Sequence, residues 1–248
     1  LLTEAQDQGY NLAFSRDMLT QAKGDKLLGL FAYSGMNDGI AYSQSKNDPK
    51  RTQPSLEEMT TKAIDILSKD KDGFFLMVEG GQIDWAGHSN DAGTMLHEML
   101  KFDEAVDSVY EWAKGRDDTL IIVTADHETG SFGFSYSSAN LPKPQKRDGE
   151  AFKNQDYAPN FNFGQFEILD GLYNQKKSYY GMISEFQALD KKAQTPEKFA
   201  EIVNANSAFS ITPEQAERVL ASKPNPYRLA GHKYLSEENV PTINDFDA

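Results

Sequence analysis

The sequence predicts an α/β fold in which helices flank a mostly parallel central sheet. Short β-branched or apolar runs alternate with amphipathic runs through the first half of the chain, which is typical of consecutive strand–helix units. Two of the apolar runs are continuous, as expected for strands that helices cover on both faces. A polar, turn-rich stretch then interrupts the pattern. We therefore divide the chain into an α/β part, residues 1–134, and a helical and irregular insertion with an irregular C-terminal segment, residues 135–248.

Four runs in the α/β part are predicted as strands. They cover residues 10–14, 26–31, 73–78 and 119–124. The last two are the continuous apolar runs, so we expect them to be central strands buried on both faces.

Two helices are predicted between these strands. Ser55 and Glu58 have the spacing of a capping box, and apolar residues then recur at helical intervals to about residue 68. A longer apolar stripe predicts a second helix over residues 91–113. Gly115 follows that stripe, and glycine is the usual residue after a last helical turn.

The second half begins with a polar excursion over residues 135–163 and then becomes helical. Apolar spacing predicts helices near residues 165–173 and 179–189. Two further helices begin at Thr195 and Thr212, each of which is followed by proline. Proline-rich composition predicts irregular structure in the last 25 or so residues.

The composition excludes several classes of partner. The 248 residues include 38 Asp and Glu against 25 Lys and Arg, a formal net charge of −13. This surplus disfavours nucleic acid, whose phosphates need Lys and Arg, and it disfavours anionic lipid. We therefore expect no nucleic-acid-binding surface and no membrane association, and no run of about 18 apolar residues predicts a transmembrane helix. Because the chain has no cysteine, any metal site must use His and carboxylates.

Acids and histidines follow the two continuous apolar runs. Glu79, Asp84 and His88 come after the first run, and Asp126 and His127 come after the second. The carboxyl ends of strands in an open α/β sheet form the usual ligand-binding crevice, so these side chains should converge there.

Each Asp–His pair offers two ligands of the kind that zinc prefers. Two pairs suggest two metals, an arrangement that recurs in displacement at phosphorus. Glu79, a hard oxygen donor, would suit magnesium better than zinc. Each motif alone also has an ordinary structural interpretation: Asp126 can cap a following helix, and Glu79 with its two glycines can form a turn.

The two remaining histidines are weaker candidates for metal ligands. His97 lies on the apolar stripe of the second helix, which favours a helix-surface or hydrogen-bonded core position. His232 lies in the proline-interrupted tail without a nearby carboxylate, which favours a surface loop.

Two compound motifs together resemble the metal-binding core of the alkaline phosphatases. They are Val78-Glu79-Gly80-Gly81-x-Ile83-Asp84-x-x-x-His88 and Thr124-Ala125-Asp126-His127-Glu128. Their order, internal spacing and separation all match, and the resemblance extends over roughly residues 1–134. The later segment is similar, less specifically, to the large surface insertion of some marine bacterial members.

The resemblance implies a set of roles for these residues. Asp84 and His88 would bind a first zinc and Asp126 and His127 a second, while Glu79 would bind magnesium. Trp85, next to a zinc-binding aspartate, would modulate substrate binding. The complete enzyme would hydrolyse phosphate monoesters through a phosphoserine intermediate. The resemblance also implies a homodimer that is periplasmic or secreted.

The family's nucleophilic serine, which lies in an Asp-Ser-Ala turn, is not identifiable in this sequence. The nearest string contains Ser108, which falls inside the second predicted helix and is rejected. The third histidine of the first zinc site also has no match, since His232 lacks the expected His-Thr-Gly context. We therefore expect an internal segment of such an enzyme that is inactive alone. The alternatives are another metal hydrolase of the same superfamily (phosphodiesterase, sulfatase or phosphoglycerate mutase) or an inactive metal-binding fragment.

Overall fold

The computed structural model describes residues 1–130, 141–161 and 167–221, and the backbone of residues 223–224 and 242–243. These residues form ten α-helices and four short strands. The helices are α1 (Leu2–Asp7), α2 (Arg16–Gln21), α3 (Gly39–Ser45), α4 (Leu56–Leu67), α5 (Gln82–His88), α6 (Ala92–Ala113), α7 (Glu167–Tyr173), α8 (Tyr179–Gln187), α9 (Pro196–Asn206) and α10 (Pro213–Leu220). The strands are β1 (Asn11–Ala13), β2 (Leu27–Gly29), β3 (Lys223–Pro224) and β4 (Thr242–Ile243).

The first two predicted strands are confirmed in shortened form. β1 and β2 pair in parallel, with Leu12 opposite Leu28. Ala13 is completely buried, and its carbonyl accepts a hydrogen bond from the backbone of Leu30 at 2.9 Å. β3 and β4 pair antiparallel to each other.

The other two strand predictions, 73–78 and 119–124, are wrong for the described structure. Neither run is a strand, and within the described part of the chain neither makes a backbone hydrogen bond to another segment. Most of their apolar side chains are also exposed: Phe75 is 88% and Leu120 is 84% accessible. A β-strand requires a neighbouring strand to which its backbone can hydrogen-bond. A hydrophobic sequence pattern predicts burial but does not identify that neighbouring strand. The predicted central sheet therefore reduces to β1 and β2 among the described residues.

The helix predictions with strong start signals are confirmed. The Ser55 hydroxyl accepts from the Glu58 backbone at 3.0 Å and the Glu58 carboxylate accepts from the Ser55 backbone at 2.8 Å, which completes the capping box of α4. Asp91 caps α6 through the Thr94 backbone. Gly115 follows α6 with a φ of +78°.

Four short helices were not predicted: α1, α2, α3 and α5. Each spans six or seven residues, too few for an apolar stripe to repeat. Ser15 caps α2 and Asp38 caps α3, so a capping residue was present in each of these two sequences.

Helices α8, α9 and α10 form a compact core of their own. Its buried members are Met182, Phe186, Phe199, Ala200, Ile202 and Ala216. The rings of Phe186 and Phe199 meet edge to face, with centroids 5.2 Å apart. Thr195 and Thr212 cap α9 and α10 as their sequence motifs predict.

Helix α6 is the element against which α3, α4, α5 and α7 pack. His97 on α6 is buried, as its position on the apolar stripe predicts. Its Nδ1 lies 2.9 Å from the Ser43 hydroxyl, and its Nε2 lies 2.9 Å from the Tyr173 carbonyl. Of the two positions that the sequence favours for His97, helix surface or hydrogen-bonded core, the structure has the core position.

The polar excursion is irregular where it is described. Residues 141–161 contain one 3₁₀ turn, Glu150–Phe152, and one isolated bridge between Gln145 and Tyr157. The rest of the excursion, His232 and nearly all of the C-terminal tail lie outside the described residues. Among the helices that are described, none combines the length and apolar character that crossing a membrane requires.

Candidate metal centre

Helix α5 holds the first Asp–His pair. Asp84 and His88 are four residues apart and therefore lie on one face of the helix, where His88 Nε2 is 3.5 Å from Asp84 Oδ2. The helix fixes the two side chains in one direction.

The second pair lies in the segment after residue 124. His127 Nε2 is 3.2 Å from Asp126 Oδ2, and both side chains are exposed to solvent. The largest influence on the pKa of His127 is its hydrogen bond to the Glu128 carbonyl, which raises it. The negative charge of Asp126 raises this pKa further, and that of Asp84 adds to the effect. The surroundings thus favour positive charge at this position.

Thr129 joins the two pairs, and the sequence analysis did not single it out. Its hydroxyl donates a hydrogen bond to Asp84 Oδ1 at 2.6 Å, and its oxygen lies 3.1 Å from His127 Nδ1. The only sequence signal for it was a hydroxyl residue two positions after His127. Among the described residues, Thr129 thus links Asp84 of the first motif to His127 of the second. The convergence of both motifs on one crevice stays a prediction.

Two glycines allow α5 and the second segment to approach this closely. Gly130 has a φ of +75°, and a Cβ atom on it would collide with the Gly87 carbonyl oxygen. A Cβ atom on Gly87 would lie 3.1 Å from the side chain of Thr129. Direct contact between these backbones holds the pairs side by side.

Glu79 and Trp85 line a neighbouring cavity of about 320 Å³. The indole of Trp85 lies against Gly35, where a Cβ atom would overlap the ring. Among the described residues no three His, Asp or Glu side chains form one potential metal site. The structure therefore sets His88 beside Asp84 and His127 beside Asp126, and links the two pairs through Thr129.

The inner wall of this cavity is polar. Glu98 pairs with Lys101 at 2.7 Å, and burial raises the pKa of the Glu98 carboxyl although Lys101 opposes the shift. Burial and the hydrogen bond to Glu104 raise the pKa of Tyr42 to about 12. Sequence patterning could not find this wall, because its members come from α3, α6 and the loop before α4.

The rejection of Ser108 as a nucleophile is consistent with the structure. Ser108 lies inside α6, and its hydroxyl donates to the Ala105 carbonyl at 2.9 Å. Its hydroxyl is thus bonded to the carbonyl one turn earlier in its own helix.

Comparison with known sequences places these features in context. The alkaline phosphatase family model matches residues 1–219. Alkaline phosphatase 3 of Bacillus subtilis is 43% identical over 132 residues, which are 53% of this chain and 27% of that protein. The alkaline phosphatase of Escherichia coli is 40% identical over 151 residues, 53% of this chain and 32% of that protein. The chain thus spans about a quarter to a third of the length of these curated relatives.

Solved structures share the fold. The alkaline phosphatase of Thermus thermophilus matches 97% of this chain and 42% of its own, with a TM-score of 0.66 and 24% identity. The cold-active enzyme of a psychrophilic Shewanella species matches 88% of this chain and 45% of its own, with a TM-score of 0.59 and 25% identity.

Proposed function

The chain belongs to the alkaline phosphatase family, and we propose that it supplies most of the metal ligands for the hydrolysis of phosphate monoesters. The observation that carries this proposal is the junction of two Asp–His pairs through one threonine hydroxyl. An isolated Asp–His pair is common, so the support for the proposal is the link between the two pairs, through Thr129 and the contact of Gly87 with Gly130.

The carboxylate and imidazole side chains of the two pairs are ligand types that suit two zinc ions. We propose that Asp84 and His88 hold one and that Asp126 and His127 hold the other. In each pair a carboxylate oxygen and an imidazole nitrogen face each other, at 3.5 Å and 3.2 Å. A proton on the imidazole nitrogen can bridge each pair, and a zinc ion can take the place of that proton, because oxygen with nitrogen is a donor combination that zinc accepts. When bound, the metals would neutralise phosphoryl charge and polarise the phosphate oxygens.

The chain's own residues orient these donors. The Glu128 carbonyl and the Thr129 hydroxyl both lie 3.1 Å from His127 Nδ1, so a proton on Nδ1 has an acceptor and Nε2 keeps its lone pair. In the other pair, the Thr129 hydroxyl donates a hydrogen bond to Asp84 Oδ1, and Asp84 Oδ2 faces His88. We propose that this arrangement preorganises both sites for cations.

Glu79 and Trp85 take supporting roles in this proposal. Glu79 would hold magnesium, as its carboxylate chemistry and the motif resemblance indicate. Trp85 would modulate substrate binding, because it lies one residue from Asp84 and lines the same cavity as Glu79. All the proposed ligands precede residue 134, so we propose that residues 1–134 carry the metal chemistry and 135–248 form the insertion and tail.

Ser108, in the string nearest to the family's Asp-Ser-Ala turn, is bonded within α6 and is not assigned as the nucleophile. We therefore propose that phosphoserine chemistry belongs to the complete enzyme and that the 248 residues alone have no turnover. The family match favours monoester hydrolysis over the phosphodiesterase, sulfatase and mutase alternatives. A periplasmic or secreted homodimer is proposed on the family resemblance alone.

Zinc titration of the 248-residue chain by calorimetry tests the proposal. We expect two zinc ions per chain and a loss of one in Asp126→Ala. The matched control is Asp117→Ala, an exposed aspartate nine residues earlier, which should keep both. Failure of the parent chain to take up zinc, or an unchanged stoichiometry in Asp126→Ala, would contradict the ligand assignment.

A second assay addresses activity. With excess zinc and magnesium, p-nitrophenyl phosphate should not be hydrolysed by the isolated chain. Zinc-dependent turnover that disappears in Asp126→Ala would overturn the proposed inactivity.

A further inference from the structure

Thr129 occupies a position between the two pairs that no motif requires. Its side chain is partly buried and packs against Gly87 of α5. The hydroxyl hydrogen is committed to Asp84 Oδ1 at 2.6 Å, so the oxygen is left to accept from His127 Nδ1 at 3.1 Å. The three groups form one continuous chain of hydrogen bonds from imidazole to hydroxyl to carboxylate.

The two hydrogen bonds of Thr129 use the atoms of Asp84 and His127 that point away from the atoms proposed to bind a cation. Asp84 offers Oδ1 to Thr129 while Oδ2 faces His88. His127 offers Nδ1 to Thr129 while Nε2 faces Asp126. Thr129 thus orients one member of each pair without competing for the atoms that would bind a cation.

We propose that Thr129 is a positioning residue shared by both cation sites, so that its single hydroxyl sets the affinity of the two sites together. This inference rests on the proposed function, because it assumes that the pairs bind zinc. Residues that orient metal ligands change affinity by about 10- to 100-fold when they are removed. A hydroxyl that orients two ligands should have this effect at two sites.

The test compares zinc affinity in three variants of the 248-residue chain. Thr129→Val keeps the shape of the side chain and removes the hydroxyl, and we expect both zinc dissociation constants to rise about 10-fold or more. Thr129→Ser restores the hydroxyl and should remain within about threefold of the parent chain. Thr124→Val is the matched control, because the Thr124 hydroxyl bonds only to the adjacent Ala125 carbonyl in the described structure.

A measurement without metal separates this inference from the proposed function. In the metal-free chain, His127 Nδ1 has two acceptors, the Thr129 hydroxyl and the Glu128 carbonyl, and Nε2 has one, Asp126 Oδ2. Thr129→Val removes one acceptor of Nδ1, so ¹⁵N chemical shifts should show a larger share of the Nε2-protonated tautomer than in the parent chain. A purely structural role would change circular dichroism and thermal midpoint but would not shift this tautomer balance.

Three outcomes would overturn the inference. If Thr129→Val leaves both the zinc affinity and the tautomer balance of His127 unchanged, Thr129 is not a positioning residue, and the proposed function is unaffected. If only one zinc site is weakened, Thr129 does not act on both sites. A parent chain that binds no zinc would overturn the proposed function itself and this inference with it.

Discussion

The side-chain amide of Gln175 donates a hydrogen bond to Asp91 Oδ1 at 2.8 Å, across 84 residues of chain. Asp91 is 2% exposed and also accepts from Thr94 and from the Tyr179 backbone at 2.6 Å. One buried carboxylate therefore caps α6, directly after the helix of the first Asp–His pair, and fixes the start of α8.

Replacing Asp91 by alanine should destabilise the chain by about 3 kcal/mol. The variant loses a helix cap, the acceptor of the buried Thr94 donors and one of the two acceptors of the Gln175 amide. Urea unfolding at neutral pH measures the loss. Asp107→Ala on the exposed face of α6 should change stability by less than about 0.5 kcal/mol. Equal losses in the two variants would show that the Asp91 network is not a stabilising centre.

Glu58 should make the stability of the chain depend on pH in the acid range. Burial would raise its pKa, but hydrogen bonds from Arg51, Ser55 and Arg16 outweigh burial and hold the pKa below the ordinary 4.5. A depressed folded-state pKa stabilises the protein above the ordinary value, and this contribution disappears as the pH falls through the folded-state pKa. Glu58→Gln should therefore cost stability at pH 7 and much less in acid.

The measurement is urea unfolding of both chains at several pH values on each side of 4.5. Glu57→Gln is the control, since Glu57 makes no ion pair within the described residues. A cost of Glu58→Gln that stays constant with pH would contradict the assignment of this charge to the α4 cap.

Gly130→Ala should weaken zinc binding as well as stability. Gly130 and Gly115 have nearly equal positive φ values, +75° and +78°, so an alanine at either site carries the same backbone cost of about 1–2 kcal/mol. Only at Gly130 does the new Cβ collide with a backbone atom, the Gly87 carbonyl oxygen. Calorimetry should show lost zinc affinity in Gly130→Ala and parent-like affinity in Gly115→Ala, whose Cβ has open space. Similar zinc affinities in the two variants would argue against the glycine contact.

Phe199→Ala should cost about 3–5 kcal/mol, the usual range for a buried phenylalanine. Phe199 is 1% exposed and meets Phe186 edge to face inside the α8–α10 core. Tyr180→Ala, at a residue that is 70% exposed on α8, is the control and should be close to neutral. Thermal unfolding followed by circular dichroism distinguishes them, and a small effect at Phe199 would mean that this core does not limit stability.

The starts of α4 and α10 were predictable because each is determined by a few neighbouring residues. Ser55 with Glu58, and Thr212 with Gln215, carry both halves of a capping box in the sequence itself. The same locality explains the Asp–His pairs, whose members are four or fewer residues apart.

The features that were missed depend on distant partners. Residues 73–78 and 119–124 have the composition of buried strands. Composition does not identify the neighbouring strand with which each would have to pair. Thr129 bonds to Asp84 across 45 residues, and an isolated threonine carries no pattern that would reveal this. The polar wall formed by Tyr42, Glu98 and Lys101 was missed for the same reason.

The placement of Asp84 and His88 on a short helix also restricts how this stretch can change in evolution. Inserting or deleting one residue between them would turn His88 by about 100° around the helix axis and carry it off the face it shares with Asp84. Substitutions of the intervening side chains leave that angle unchanged. Natural variation in length should therefore be absent between positions 84 and 88, whereas the irregular stretch 141–161 should accept insertions readily.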